Sequence, residues 1–184
     1  MDIDSDYDDK IAAFQRRHDW EGLLTYCLAL EKQISRSAKT EPPSEVEARS
    51  HLQILLDLEI AYTMLKMPKK QVQVAQKSLR MAKQVLNDPR DLFFCYRAVA
   101  WALDSAEQPE QARSMLVRAM TCLLAKWETE FLAWGLNELA AFDRTDRPEM
   151  AEALDELAAD LRWERRWAHR ASDRKQDQEI LAGE

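Results

Sequence analysis

The chain of 184 residues contains few glycines and prolines, three and six respectively, which is about 5% together against roughly 12% in average usage. Tight β-hairpin turns and glycine-rich phosphate loops need residues that accept positive φ. Gly22, Gly135 and Gly183 are too far apart to build a phosphate-binding or dinucleotide-binding loop. The composition therefore argues against a sheet-rich fold and the common nucleotide sites, and it predicts an all-α protein.

Long apolar runs, an export signal and paired cysteines are also lacking. The apolar run at 92–96 ends at Arg97, well short of the ~20 residues that a membrane span requires. Five aspartates stand among the first nine residues, where a signal peptide would be basic and then apolar. Cys27, Cys95 and Cys122 have apolar neighbours, which is typical of reduced core cysteines. We therefore expect a cytoplasmic protein without a membrane span.

The formal net charge of −7 disfavours a dedicated nucleic-acid binder, because neutralising phosphates requires a clustered surplus of basic residues. One stretch departs from this average: residues 66–83 contain no acid and form a basic surface of Lys66, Lys70, Lys77 and Arg80, with Lys69 and Lys83 beside them. Such a run is most often a solvated helix face. The alternative function that it suggests is a nucleic-acid-associated regulatory protein that uses this helix and the basic C-terminal helix.

Apolar residues recur at helical spacing along most of the chain, and the breaks between these stretches recur as well. Pro68, Pro109 and Pro148 are separated by 41 and 39 residues, and Trp20 precedes Pro68 by 48. Because proline suits the first turn of a helix, each of these prolines marks a helix start; Pro89 marks another. The loop at 35–45 contains Pro42 and Pro43, and its Ser44 can cap the next helix with Glu47. A helix, a short turn and a second helix are therefore predicted four times.

These units resemble the tetratricopeptide repeat (TPR) family. The turn at 18–23, His-Asp-Trp-Glu-Gly-Leu, is similar to the family's Gly-Asp-Tyr-Glu-x-Ala turn, and the third unit matches the family's apolar and small positions at Tyr96, Val99, Ala100, Leu103, Ala112, Leu116 and Ala119. The position where the family has a small residue holds Ile11, Glu59 and Leu139 in the other units. The resemblance implies a right-handed α-α superhelix of about four hairpins, closed by a C-terminal capping helix. We divide the chain into an acidic flexible head (1–9), one helical-repeat domain (10–175) and a frayed tail (176–184).

Groups for catalysis or metal binding do not converge in the sequence. His18, His51 and His169 are isolated, and no histidine or cysteine pair has metal-ligand spacing. We therefore predict a non-enzymatic protein with no metal and no cofactor.

The resemblance implies instead a concave groove that binds a peptide segment of another protein, so that the chain acts as an adaptor or a chaperone-like module. The groove residues that it implies are Gln15, Gln53, Ile60, Thr63, Arg97, Trp101, Asp104 and Asp143, with Leu136 and Ala140 on the same stripe. Arg97 and Trp101 are one helical turn apart and of the types enriched at binding hot spots. The alternative is that Trp101 packs inside the superhelix while Arg97 and Gln15 are solvated.

A basic, tryptophan-containing segment lies near the C-terminus. Trp163 and Trp167 are one turn apart among arginines that include Arg166 and Arg170. This helix either closes the end of the repeat domain or docks onto a partner, a membrane surface or a second copy. The last case gives a third function, a structural subunit that forms homo-oligomers.

Overall fold

The computed structural model describes residues 6–37, 43–124 and 129–162, and these form eight α-helices. Their bounds are α1 (Tyr7–Arg17), α2 (Trp20–Ser37), α3 (Glu45–Met64), α4 (Pro68–Met81), α5 (Pro89–Ser105), α6 (Pro109–Leu124), α7 (Thr129–Asp143) and α8 (148–162). A single π-helical turn, Ala82–Leu86, extends α4. None of the described residues lies in a strand, so the prediction of an all-α protein is confirmed.

The chain divides into two compact units, Met1–Cys122 and Leu123–Glu184. In the first unit, α1 packs on α2, α2 on α3, α3 on α4 and α4 on α5, and α3 also touches α5. Residues 7–9, which we assigned to the acidic head, lie within α1, where Tyr7 is buried. The predicted loop at 35–45 is shorter than expected at both ends, because α2 continues to Ser37 and α3 begins at Glu45.

The helix starts lie where the sequence places them. Helices α4, α5 and α6 begin at Pro68, Pro89 and Pro109, positions at which the missing proline N–H costs no hydrogen bond. The capping box of α3 is present: Ser44 Oγ accepts from the Glu47 N–H at 3.3 Å, and Glu47 Oε2 accepts from the Ser44 N–H at 2.9 Å. These signals come from residues that are close in sequence, so they mark the helix starts without reference to tertiary contacts.

Three hairpin turns share one hydrogen-bonded geometry although none contains glycine at its left-handed position. His18, Lys66 and Glu107 have φ of 54°, 55° and 59°. At each turn this residue's N–H donates to the carbonyl three residues earlier, and the next N–H donates to the carbonyl five residues before it, at 2.8–3.1 Å. This is the Schellman arrangement that ends a helix. The turns fall immediately before Trp20, Pro68 and Pro109, so the repeat that the sequence shows is also a repeat of backbone conformation.

Replacing Glu107 by glycine should stabilise the protein by about 1 kcal/mol. A side chain with a Cβ is strained in the left-handed region, and a negative charge at a helix C-terminus opposes the helix dipole. Glu107→Gly removes both penalties. Their sum exceeds the free-energy cost of the extra conformational entropy that glycine gives the unfolded chain. Urea unfolding measures the difference, with Arg118→Gly, in the exposed middle of α6, as the control that should lose about 1 kcal/mol. A destabilised Glu107→Gly protein would contradict the expectation.

The core of the first unit is built from the facing sides of its helices. One cluster joins α1, α2 and α3 through Tyr7, Ile11, Leu23, Cys27, Ile34, Ile54, Leu55, Leu58, Ala61 and Tyr62. A second cluster joins α3, the π turn and α5 through Leu52, Ala82 and Cys95. Helix α3 contributes to both clusters, so it is the central element of this unit and its remaining exposed side defines the site described below.

In the second unit, polar side chains link α7 and the turn that follows it to α8. Arg144 Nη2 donates to Asp155 Oδ2 at 2.9 Å. With its amide oriented to satisfy both neighbours, Asn137 donates to Asp155 Oδ1 at 3.3 Å and accepts from Arg162. Asp155 therefore has a partner both on α7 and in the turn after it.

Candidate functional site

A cleft of about 540 Å³ lies between α3 and α5, with one residue of α4 beneath it. Its lining consists of Gln53, Leu56, Glu59, Ile60, Thr63 and Met64 from α3, Gln71 from α4, and Phe94, Arg97, Ala98, Trp101 and Ser105 from α5. All twelve residues belong to the first unit.

The cleft begins where α3 and α5 are no longer tied together. Near their N-terminal ends, Arg49 Nη1 donates to Asp91 Oδ2 at 2.7 Å, and Leu52 and Cys95 share an apolar cluster. Beyond this contact the lining of each helix extends over three turns, from Gln53 to Met64 and from Phe94 to Ser105, which corresponds to roughly 16 Å at 1.5 Å per residue. The cleft is therefore long enough to accept a segment with several side chains.

The walls expose apolar side chains that would be expected in a core. Ile60 is 37% exposed, Met64 48% and Trp101 40%. Single exposed apolar residues are common on protein surfaces, but a convergent group marks a binding surface. These three residues line one cleft.

A carboxylate lies between the apolar walls. Gln71, which is 1% exposed, donates through Nε2 to Glu59 Oε1 at 2.6 Å. The Thr63 hydroxyl lies 3.2 Å from the same oxygen and 2.9 Å from the Glu59 carbonyl oxygen. Burial raises the pKa of Glu59, whereas these hydrogen bonds and the charge of Arg97 act in the opposite direction. Glu59 is thus a positioned carboxylate whose ionised form has several favourable neighbours.

A second carboxylate, which is buried, lies behind the cleft and links it to α1. Asp57, 3% exposed, accepts from the Tyr7 hydroxyl at 2.6 Å and from Gln53 Nε2 at 3.2 Å, both on Oδ2. Burial raises the pKa of Asp57, and the two hydrogen bonds lower it. Gln53 also lines the cleft, so its side chain connects the cleft wall to Asp57, which in turn accepts the hydrogen bond from Tyr7 of α1.

The structure brings five of the eight predicted groove residues into this cleft: Gln53, Ile60, Thr63, Arg97 and Trp101. The other three lie elsewhere. Gln15 is half-buried on α1, and Asp104 is exposed on α5 outside the lining. Asp143 is only 4% exposed, and Leu136 and Ala140 of the same stripe are 6% and 0% exposed. The three stripe residues on α7 are therefore buried and not available to a ligand.

Sequence reasoning missed Glu59 and Gln71 as site residues. Glu59 carried a signal, because an acid occupied the position where the repeat pattern wants a small residue. No feature of the sequence pointed to Gln71, because a glutamine near the start of a basic helix is usually solvated. In the structure Gln71 is buried and donates a hydrogen bond to Glu59.

The predicted basic surface is partly neutralised. Lys77 forms an ion pair with Glu31 of α2, and Lys83 Nζ lies 4.9 Å from the centroid of the Tyr96 ring. Lys66 lies in the turn before α4, and Lys70 and Arg80 are exposed. The positive charge available to a phosphate backbone is therefore smaller than the sequence suggests.

Next to this ion pair is a buried histidine. His51 Nε2 lies 3.9 Å from Glu31 Oε1 and has no hydrogen-bond partner among the residues that the structure describes. Burial and the nearby Lys77 lower the pKa of His51, so the neutral ring is favoured at this junction of α2, α3 and α4.

The remaining predictions concern metals, thiols and the C-terminal helix. Within the described ranges, no group of three or more His, Cys, Asp or Glu side chains is arranged to hold a metal ion, and no helix is long and apolar enough to cross a membrane. The three cysteines are free, and burial raises the pKa of Cys27 and Cys95 to about 12. The predicted docking residues Trp163, Arg166, Trp167 and Arg170 lie outside the described residues.

No protein-family model and no curated protein sequence matches the chain. Among solved structures, the chain is similar to the crystal structure of BtubC (BKLC) from P. vanneervenii, with a TM-score of 0.65 and 18% sequence identity. The match covers 77% of this chain and 56% of that chain, so the chain spans little more than half the length of that protein. At this identity the likeness shows a common helical fold and nothing about function.

Proposed function

We propose that this protein is a non-enzymatic, TPR-like helical-repeat module of the cytoplasm that binds a segment of a partner protein in the cleft between α3 and α5. It would act as an adaptor or a chaperone-like protein. The observation that carries the proposal is the convergence of Ile60, Met64 and Trp101 in one cleft, each more than a third exposed. The repeated turns before Trp20, Pro68 and Pro109 support the TPR-like part of it.

The chemistry of the lining favours binding over catalysis. Among the described residues, the lining of the cleft includes no histidine, cysteine or lysine, and its one carboxylate, Glu59, already accepts hydrogen bonds from Gln71 and Thr63. The Ser105 hydroxyl donates to the Trp101 carbonyl oxygen at 3.0 Å, and the Thr63 hydroxyl donates within its own helix. Glu59 Oε1 lies 3.2 Å from the Thr63 hydroxyl, but this oxygen already accepts from Gln71 at 2.6 Å, which disfavours its use as the base that would activate a nucleophile.

Site-specific photo-crosslinking tests the proposal in the native cell. A benzophenone side chain placed at Met64, which is 48% exposed at the cleft, should crosslink to a discrete partner. The same group at Val117 of α6, which is 40% exposed and outside the lining, should give none of that product.

Two results would overturn the proposal. Identical products from both positions would show that the cleft has no selectivity. A product of twice the chain's own mass would identify a second copy of the chain and would favour the homo-oligomer instead.

A further inference from the structure

One side of α8 carries an apolar stripe that the protein leaves partly open. The residues of this stripe follow one another at intervals of four, three and four positions, so they lie along the same side of the helix: Met150, Leu154, Leu157 and Leu161. Met150 and Leu157 are each 49% exposed, and the other two are half-buried. The buried Ala151 and Ala158 lie on the side of α8 that packs inward. The apolar stripe is therefore surface that a partner can cover.

A row of exposed carboxylates runs beside the apolar stripe. This acidic row consists of Glu149, Glu152, Glu156 and Asp160. None of the four side chains has a hydrogen-bond or ion-pair partner among the described residues, whereas Asp155 is held by Arg144 and Asn137. Residues 149–160 contain five acids and no basic residue. A partner for this face of α8 therefore needs positive charge as well as apolar side chains.

The chain itself contains a segment with this chemistry. Residues 163–175 follow α8 directly, lie outside the described ranges, and hold five basic residues against two acids. The five are Arg165, Arg166, Arg170, Arg174 and Lys175. Trp163 and Trp167 add large apolar side chains among them. From residue 149 onward the sequence is thus acidic first and then basic.

A second copy of the chain brings the acidic and basic stretches together. When two identical stretches that run from acidic to basic lie antiparallel, the acidic half of each meets the basic half of the other, and both contacts form at once. Residues 149–160 and 163–174 each contain twelve residues. The twofold axis then falls between Leu161 and Arg162, and neither half is left without a partner.

The sequence at the junction disfavours the same contact within one chain. To fold back along α8, residues 163–175 would need a chain reversal immediately after Arg162. The residues there are Arg, Trp, Glu, Arg and Arg (162–166), and the stretch 149–182 contains no glycine, proline or asparagine, which are common residue types in reversals. The reversals before α4, α6 and α8 lead into Pro68, Pro109 and Pro148, and no proline follows Arg162.

We propose that the chain forms a symmetric antiparallel dimer, in which residues 163–175 of each copy bind the apolar stripe and the acidic row on α8 of the other. This surface belongs to the second unit and is separate from the α3–α5 cleft, so the inference does not rest on the proposed function. Because the contact joins opposite charges as well as apolar side chains, the dimer should weaken as the salt concentration rises.

Sedimentation equilibrium of the full chain tests the dimer directly. At about 100 μM, where even an association of modest affinity is populated, the wild-type chain should have twice its own mass of 21.4 kDa. Raising NaCl from about 0.05 M to about 0.5 M should raise the dissociation constant of the dimer at least fivefold, because the exposed charges are then screened.

Two double variants test whether α8 and the C-terminal segment meet. Glu156→Arg with Asp160→Arg makes the acidic row basic, and Arg166→Glu with Arg170→Glu makes the segment acidic. Each double variant should weaken its own dimer at least tenfold, because every change occurs twice in a symmetric dimer. An equimolar mixture of the two should dimerise again, since each α8 then meets a segment of opposite charge.

Two further variants separate this contact from general effects of charge. Glu21→Arg with Glu107→Arg makes the same change in net charge at exposed positions of the first unit and should keep the wild-type dissociation constant. Leu157→Ala removes the centre of the apolar stripe and should weaken the dimer at least fivefold. Circular dichroism verifies folding, and if a charge-reversal variant does not fold, the salt dependence and Leu157→Ala decide.

A wild-type chain that is monomeric at about 100 μM would overturn the inference and leave α8 to another partner or to the chain's own segment. A dimer that is unchanged in Leu157→Ala, or in both charge-reversal variants, would place the contact elsewhere and overturn it as well. A mixture of the two double variants that stays monomeric would show that their charges do not meet. None of these results affects the partner crosslinked at Met64, so the dimer and the proposed function stand or fail separately.

Discussion

Replacing Trp101 by alanine should weaken capture of the partner by roughly 30-fold to 150-fold, about 2 to 3 kcal/mol. Tryptophan is the residue type most often found at the energetic centre of an interface. Trp101 lies on the α5 wall opposite Ile60 and Met64, so its indole would be covered on both sides once a segment fills the cleft. The yield of the photo-crosslink from Met64 should fall to background in Trp101→Ala at the protein concentration that saturates it in the wild-type chain.

This loss should occur without unfolding. Because Trp101 is 40% exposed in the free protein, truncating it forfeits part of its packing only, and we expect the free energy of unfolding to fall by less than about 1 kcal/mol. Val117→Ala is the matched control, since Val117 is also 40% exposed but lies outside the cleft. Unchanged crosslinking in Trp101→Ala, or an equal loss in Val117→Ala, would show that Trp101 is an ordinary surface residue.

The parts of the fold that were predictable are those fixed by neighbours in sequence. Pro68, Pro89 and Pro109 start helices because proline is disfavoured elsewhere in them. Ser44 and Glu47 form their capping box because the two side chains are three residues apart at a helix start. Both signals are local, so no knowledge of the tertiary structure is needed to interpret them.

The scarcity of glycine predicted the absence of strands better than it predicted the backbone conformation of the turns. It correctly excluded strands among the described residues, but His18, Lys66, Asn87 and Glu107 adopt the left-handed conformation without it. A helix end with two hydrogen bonds of the Schellman type offsets the steric cost of a Cβ. Positive φ therefore could not be located from the positions of Gly22, Gly135 and Gly183.

Residues of the cleft could be predicted where both the residue type and the position on the helix indicate a binding groove, as for Ile60 and Trp101. Glu59 and Gln71 depend on a contact between residues twelve apart in two helices, and nothing local to either predicts it. The same holds for Asp57, whose hydroxyl partner on Tyr7 is fifty residues away. Polar groups that are buried by pairing can be recognised only when both partners are seen together.

The pairing of Tyr7 with Asp57 leads to the second large effect: Tyr7→Phe should lower the free energy of unfolding by about 2 kcal/mol at pH 7. A hydrogen bond to a charged group contributes roughly 1.5 to 3 kcal/mol, and the loss leaves a carboxylate that is 3% exposed with Gln53 as its remaining side-chain donor. Tyr62→Phe is the control. Tyr62 is 7% exposed in the same cluster, and its hydroxyl has no hydrogen-bond partner among the described residues, so its removal should cost less.

The dependence on pH distinguishes this bond from a packing effect. The Tyr7 hydroxyl favours the ionised form of Asp57, and burial raises the pKa of Asp57 above its ordinary value of 3.8. The stabilisation from this bond is therefore present at neutral pH and is lost as pH falls through the raised pKa of Asp57. Urea unfolding from pH 7 to pH 4 should show the Tyr7→Phe deficit shrinking toward the acid end, while the Tyr62→Phe deficit stays constant. In an Asp57→Asn background the Tyr7→Phe deficit should be smaller and independent of pH, and a deficit that keeps its full size at pH 4 would mean that Tyr7 stabilises the protein by packing alone.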